Sequence, residues 1–284
     1  MILYPNCKIN IGLRVVQKRA DGYHDLETIF YPIKGLSDVL EVAKVDNAAQ
    51  HISFACDGIA IDCAEEDNLI VRCYRLMAAH YPAVGSVDVH FTKRVPFGAG
   101  LGSGSSDAAH MAIALNELFA LGLSQAQLAA EVRALGADCP FFIYNTPCFA
   151  TGIGDILTPI DLDLSSMRLV IIKPDVHVST RDAYAGITPC YSHALQDAVR
   201  SNSFSLLHDA CTNDFETTVF ARYPQLADIK KHLQDAGAFY AAMSGSGSAI
   251  YGLFKFDSES RTLAQLSRLH EEFTSMVIFD DTLA

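Results

Sequence analysis

Every second residue from Gly98 to Gly104 is glycine, and Ser105, Ser106 and Asp107 follow at once. Glycine brings backbone N–H groups up to a ligand with no Cβ in the way, and it reaches positive φ freely. Behind it Ala108, Met111, Ala112, Leu115, Leu118 and Phe119 repeat at helical spacing. The glycines therefore open onto a helix amino terminus, with unpaired N–H donors and a positive dipole end. Together these features make a phosphate cradle. The structural alternative is a turn capped by Ser105 or Ser106, but four glycines in seven residues are entropically expensive for a turn alone.

The known cradles do not fit. A P-loop ends in Gly-Lys-Ser/Thr, whereas Gly104 is followed by two serines. In the three registers of a dinucleotide fingerprint the third glycine falls on Ser103, Ser105 or Asp107. No serine has glycine two residues away on both sides, which excludes a nucleophile elbow, and a protein-kinase catalytic loop is absent. Two other places stand out. Asp138 lies just past an expected helix stop at Gly136, at a dipole end that disfavours a carboxylate. Tyr23 and His24 follow Gly22, where consecutive aromatic rings have no helical or strand period to satisfy; a ligand explains them better than a core.

The elements that must hold these residues read as an alternation of strands and helices. Strands are expected at Cys7–Val16, Thr28–Ile33, Val39–Val45 and Val87–Phe91. Asp67 or Asn68 caps a helix whose apolar face is Leu69, Ile70, Cys73, Leu76 and Met77. Ser124 and Gln127 form a capping box. A polar, proline-containing stretch at Thr158–Ser166 suggests a boundary, giving domains 1–158 and 159–284. The second part reads as a strand (Leu169–Lys173), helices at about 203–220 and 224–236, strands at Phe239–Met243 and Ala249–Phe254, a helix at 262–273 and a strand at Met276–Phe279. Helices packed on an antiparallel sheet account for that order, an α+β arrangement.

Composition narrows the class. Half of the 284 residues are apolar and 19% are charged, which excludes disorder as the main state. A net charge of −12 argues against a general nucleic-acid binder, which needs a basic surface. No run approaches the roughly 20 apolar residues that span a bilayer, and the amino terminus does not read as a secretory signal. Eight scattered cysteines contain no C-x-x-C pair and read as buried reduced thiols, so a cytoplasmic location is expected.

The motifs, taken together, resemble one kinase superfamily. Pro96–Ser106 (Pro96, Phe97, Gly98, Ala99, Gly100, Leu101, Gly102, Ser103, Gly104, Ser105, Ser106) is similar to the ATP-binding motif of the galactokinase, homoserine kinase, mevalonate kinase and phosphomevalonate kinase superfamily. Pro5–Gly12 and Met243–Ala249 match its other two motifs in order and position. Arg19–His24 with Thr28–Phe30, and Gly136–Phe142, narrow the resemblance to the 4-diphosphocytidyl-2-C-methyl-D-erythritol kinase family. The chain departs from that family's common pattern at Cys7, Ser103 and Cys139, and none of these replaces a charged group.

The resemblance implies a two-domain α+β kinase, with an amino-terminal α/β nucleotide-binding domain and a ferredoxin-like carboxy-terminal domain. It implies transfer of the γ-phosphoryl of ATP, with Mg2+, to the 2-hydroxyl of 4-diphosphocytidyl-2-C-methyl-D-erythritol, with no nucleic-acid or membrane partner. Asp138 is then the general base and Lys8 its partner, a plausible pair because an alcohol needs a proton acceptor and the phosphoryl a cation. Otherwise Asp138 is a polar residue after a helix end and Lys8 a solvated strand residue. Asn10, Tyr23, His24, Phe30 and Tyr184 match substrate-binding positions, the aromatic ones around the cytosine. Ordinary core packing is the competing account, strongest for Phe30. Ser105 or Ser106 is a candidate to approach the metal, whose ligands stay unassigned. Two other readings are a sister kinase acting on mevalonate, homoserine or a sugar, and a non-catalytic nucleotide-binding module. Tyr23-His24 opposes the first; the presence of Lys8 and Asp138 opposes the second.

Overall fold

A computed structural model describes residues 1–46, 50–192, 194–201, 211–255 and 267–283. Its described residues gather into two compact units interleaved along the chain: Met1–Cys7, Leu36–Phe97 and Gly102–Thr146 in the first; Lys8–Gly35, Gly98–Leu101 and Pro147–Ala284 in the second. Packing thus divides the chain differently from a single cut at 158.

The first unit contains β1 (Ile2–Leu3), β4 (Val39–Val45), β5 (Ile52–Gly58) and β6 (Ser86–Lys93), in the order β1-β4-β6-β5. β6 lies antiparallel to β4 and parallel to β5. Along β6, Val87, Val89, Phe91 and Lys93 are buried at alternate positions, the period of a half-buried strand. α1 (Leu69–His80) begins where the Asn68 side chain accepts from the N–H of Ile70, as expected of a cap. α2 (Ser103–Leu118) packs between α1 and α4 (Cys139–Tyr144), and is buried on most sides. α3 (Gln125–Val132) starts at the Ser124–Gln127 capping box and packs on α4. A single 3-10 turn at Glu65–Asp67 precedes α1.

The second unit holds two four-stranded sheets. One runs β2-β3-β7-β8, from β2 (Asn6–Lys18), β3 (His24–Ser37), β7 (Cys148–Thr151) and β8 (Ile156–Pro159). The other comprises β9 (Met167–Ile172), β10 (Tyr240–Met243), β11 (Ile250–Lys255) and β12 (Val277–Thr282) in the order β10-β11-β9-β12, each neighbour antiparallel. α7 (Phe215–Arg222) and α8 (Pro224–Asp235) connect β9 to β10, after α5 (Thr180–Tyr184) and α6 (Ala194–Ser201); α9 over 267–272 precedes β12. That is the ferredoxin-like β-α-β-β-α-β arrangement, as expected. Its core joins Val170 and Ile172 of β9 to Val219, Leu226, Ile229 and Leu233 of the helices.

Several readings shift. α2 begins at Ser103, five residues before the apolar stripe, so the serines lie inside the helix. The helix expected to reach Gly136 ends at Val132. The apolar run Phe141–Tyr144 belongs to α4, with Pro140 in its first turn. The stretch proposed as a boundary begins inside β8, which pairs with β7. Residues 203–210 and 262–266 of the helices expected at 203–220 and 262–273 lie outside the described residues.

Candidate active site

Lys8 is buried, not a solvated strand residue: it is 3% exposed. Its Nζ donates to Asn10 Oδ1 at 2.5 Å and to the Gly100 carbonyl at 3.0 Å, and sits 5.0 Å from the centre of the Phe30 ring. Lys8 and Asn10 share a face of β2 because strand side chains alternate. Asn10 is in turn fixed through Nδ2, which donates to Thr28 Oγ1 at 3.0 Å. The amide of Asn10 thus serves Lys8 on one end and β3 on the other. Phe30 packs beneath Lys8 and is 2% exposed, which agrees with the core-packing account.

The Met243–Ala249 loop carries the first half of the glycine segment. Ser244 Oγ donates to Gly100 O at 2.9 Å, and the Ala249 N–H donates to Ala99 O at 3.1 Å. At Gly100, φ is +78° and an added Cβ would meet Ser244 O at 1.9 Å, so only glycine fits. Asn213, which the sequence did not single out, clamps this loop by donating to Met243 O and Gly245 O, both at 2.8 Å.

In the first unit Gly102 takes the left-handed conformation (φ 69°) immediately before α2. Ser103 and Ser106 are buried; Ser105 is half-buried. The Ser106 hydroxyl lies 3.3 Å from His110 Nδ1, which also contacts Ser106 O at 2.8 Å. Burial lowers the His110 pKa, favouring the neutral ring. Ser105 hydrogen-bonds the buried Cys139 thiol, whose pKa burial raises to about 12. Asp138 occupies the amino-terminal cap position of α4 without capping it through its side chain. The dipole argument from sequence therefore reverses: a carboxylate here faces the favourable end of a helix.

Beside Gly104 lies a cavity of about 260 Å³, lined by Ile61, Cys63, Asn68, Leu69 and Phe97, and by the charged Asp67, Lys93 and Asp107. Phe97 is exposed, and a Cβ on Gly104 would sit 3.5 Å from Leu69 and 3.6 Å from Phe97, inside the space they border. Lys93 lies between two buried carboxylates, 2.6 Å from Asp38 and 2.8 Å from Asp107. Burial lowers its pKa, Asp107 and Asp38 raise it, and the balance is upward. Burial and the adjacent Asp38 push Asp107 well above the usual carboxylate range despite Lys93. Sequence reasoning missed this network, although the alternation of β6 continued to residue 93 was a readable signal.

The aromatic residues separate. His24 stacks on Tyr184 with ring centres 4.7 Å apart and planes 19° apart, and Tyr184 meets Phe215 edge-on at 4.7 Å. Tyr23 is 62% exposed at the tip of the β2–β3 turn. Arg19 ties that turn by pairing with Asp21 and Asp25, and its hydrogen bond holds the Asp21 carboxyl below its usual range. Among the described residues no three of His, Cys, Asp and Glu come together to hold a metal ion, and no helix is long and apolar enough to cross a membrane.

Residues 68–146 match the model of the GHMP kinases N terminal domain, and 195–272 that of the GHMP kinases C terminal domain. A homoserine kinase from Cytophaga hutchinsonii superposes with a TM-score of 0.74 over 99% of this chain and 94% of its own; at 16% identity it shares the fold alone. Fold and domain pair thus define a GHMP kinase. A crystal structure of 4-(cytidine 5'-diphospho)-2C-methyl-D-erythritol kinase superposes better, with a TM-score of 0.79, 30% identity and coverage of 100% and 99%. The 4-diphosphocytidyl-2-C-methyl-D-erythritol kinase of Bacteroides fragilis is 48% identical over 89% of this chain and 92% of its own. The chain belongs to the 4-diphosphocytidyl-2-C-methyl-D-erythritol kinase family.

Proposed function

We propose that this chain transfers the γ-phosphoryl group of ATP to the 2-hydroxyl of 4-diphosphocytidyl-2-C-methyl-D-erythritol, in non-mevalonate isoprenoid precursor synthesis in the cytoplasm. The observation that carries the reading is Lys8, buried and aimed at the glycine segment by Asn10 and Gly100. A lysine so held supplies positive charge where phosphate oxygens gather. The glycine segment Pro96–Ser106 offers backbone donors to the triphosphate at the start of α2. The cavity beside Gly104, with apolar walls and a few polar groups, suits the nucleoside end. Asp138 takes the proton of the acceptor hydroxyl, and Lys8 offsets the negative charge of the transferring phosphoryl group.

Magnesium on the nucleotide phosphates offsets their charge when bound. A cation carried by phosphate and water needs only one or two protein oxygens. The half-buried Ser105 is better exposed for this than Ser106, whose hydroxyl faces His110. The stacked His24 and Tyr184 hold the cytosine, Tyr23 closes over it from the turn, Phe30 backs Lys8, and Asn10 orients Lys8. The functional division at residue 158 belongs to the same reading. A panel of acceptors with ATP tests it. Turnover should require 4-diphosphocytidyl-2-C-methyl-D-erythritol; comparable phosphorylation of mevalonate or homoserine would refute the substrate.

A further inference from the structure

The charge network beside the cavity leaves one polar atom over. Asp38 is fully buried, and its oxygens take three donors: Lys93 Nζ at 2.6 Å and the backbone N–H groups of Arg94 and Val95 at 2.6 and 2.8 Å. Asp107 Oδ2 takes a further Lys93 hydrogen at 2.8 Å. Asp107 Oδ1 has no hydrogen-bond partner among the described residues, although the residue is only 4% exposed. Buried carboxyl oxygens without partners are costly and uncommon. Asp38 alone balances the charge of Lys93, so the second carboxyl needs another reason. Asp107 also lines the cavity.

We infer that Asp107 is a nucleoside-recognition residue: its Oδ1 hydrogen-bonds a hydroxyl or amino group of the ATP ribose or base seated in this cavity, and Lys93 fixes its orientation by holding Oδ2. This rests on the ATP reading above. Ile61, Leu69 and Phe97 give the apolar walls that a planar base or ribose face needs, but they cannot tell one nucleoside from another. A fixed, desolvated polar atom can, because a ligand lacking the matching group leaves it unpaired. The competing account satisfies Oδ1 internally, through a proton shared with the adjacent Asp38 carboxyl.

Calorimetric titration separates the two without an acceptor substrate. The probes are ATP, 2′-deoxy-ATP, 3′-deoxy-ATP and purine riboside triphosphate, which lacks the 6-amino group. One analogue should bind the unmodified protein about tenfold to a hundredfold more weakly than ATP, the scale of a hydrogen bond to a carboxyl. In Asp107→Ala that analogue and ATP should bind equally. Asp107→Asn keeps an oxygen for Lys93 and guards against misfolding. It should abolish the discrimination if the partner is the amino group, and keep it if the partner is a hydroxyl, which accepts as well as donates. Identical analogue-to-ATP ratios in all three proteins would overturn the inference and favour the shared proton. Failure of the unmodified protein to bind ATP at all would instead overturn the nucleotide reading.

Discussion

Lys8 and Lys93 are almost equally buried, at 3% and 1% exposure, yet their surroundings treat their charges differently. Lys93 is gripped by the carboxyl groups of Asp38 and Asp107, and Asp38 balances its charge at close range. Lys8 donates to two neutral oxygens, the Asn10 amide and the Gly100 carbonyl, which hold its ammonium beside the glycine segment. One lysine completes a buried network of carboxyl groups, and the other is held against the glycine segment for which we propose phosphate binding.

The largest expected effect lies at Asp138, the proposed general base. Asp138→Asn keeps the shape and loses the proton acceptor, so single-turnover rates should fall by about 10²–10⁴-fold while ATP binding persists. A variant within threefold of the parent would remove Asp138 from the mechanism.

Gly100→Ala attacks the orientation of Lys8 and not its charge. The new Cβ would meet Ser244 O at 1.9 Å, so the backbone must move and Gly100 O must shift from Lys8. Equilibrium denaturation should show a loss of about 1–3 kcal/mol, accompanied by lower activity. An unchanged midpoint would mean that the two glycine-containing loops yield freely.

A third change should leave both lysines alone. His24→Ala removes one ring of the His24–Tyr184 stack, and stacking on a base contributes about 1–3 kcal/mol. The KM for the cytidyl substrate should rise roughly five- to 150-fold with the KM for ATP nearly constant. Equal rises in both would return the pair to the scaffold.

Local signals carried much of this. The Asn68 cap, the Ser124 capping box and the glycine segment are each contained in a few consecutive residues, and each forms as its residue types demand. What escaped depends on residues far apart in the chain. Asp38, Lys93 and Asp107 come from β4's approach, the end of β6 and α2, and nothing local announces their meeting. Asn213 bonds to the backbone 30 and 32 residues away, a contact with no periodicity. α4 was hidden because six residues cannot display a helical period, and only Pro140 marks its start. The stacking of His24 on Tyr184 joins residues 160 apart in number; the sequence suggested a ligand only through the adjacent Tyr23 and His24, and Tyr184 entered through the family resemblance.

The contrast between the lysines is tested most directly by measuring kcat at saturating substrates and denaturation free energy for Lys8→Met and Lys93→Met together. Lys8→Met should lose about 10²–10³-fold in kcat, the scale of one lost donor to developing negative charge, with a modest loss of stability. Lys93→Met should keep kcat within a few-fold below its midpoint and lose about 3–5 kcal/mol, because Asp38 and Asp107 are left without their cation. A Lys8→Met protein with full kcat, or a Lys93→Met protein that is as stable as the parent and inactive, would contradict the account.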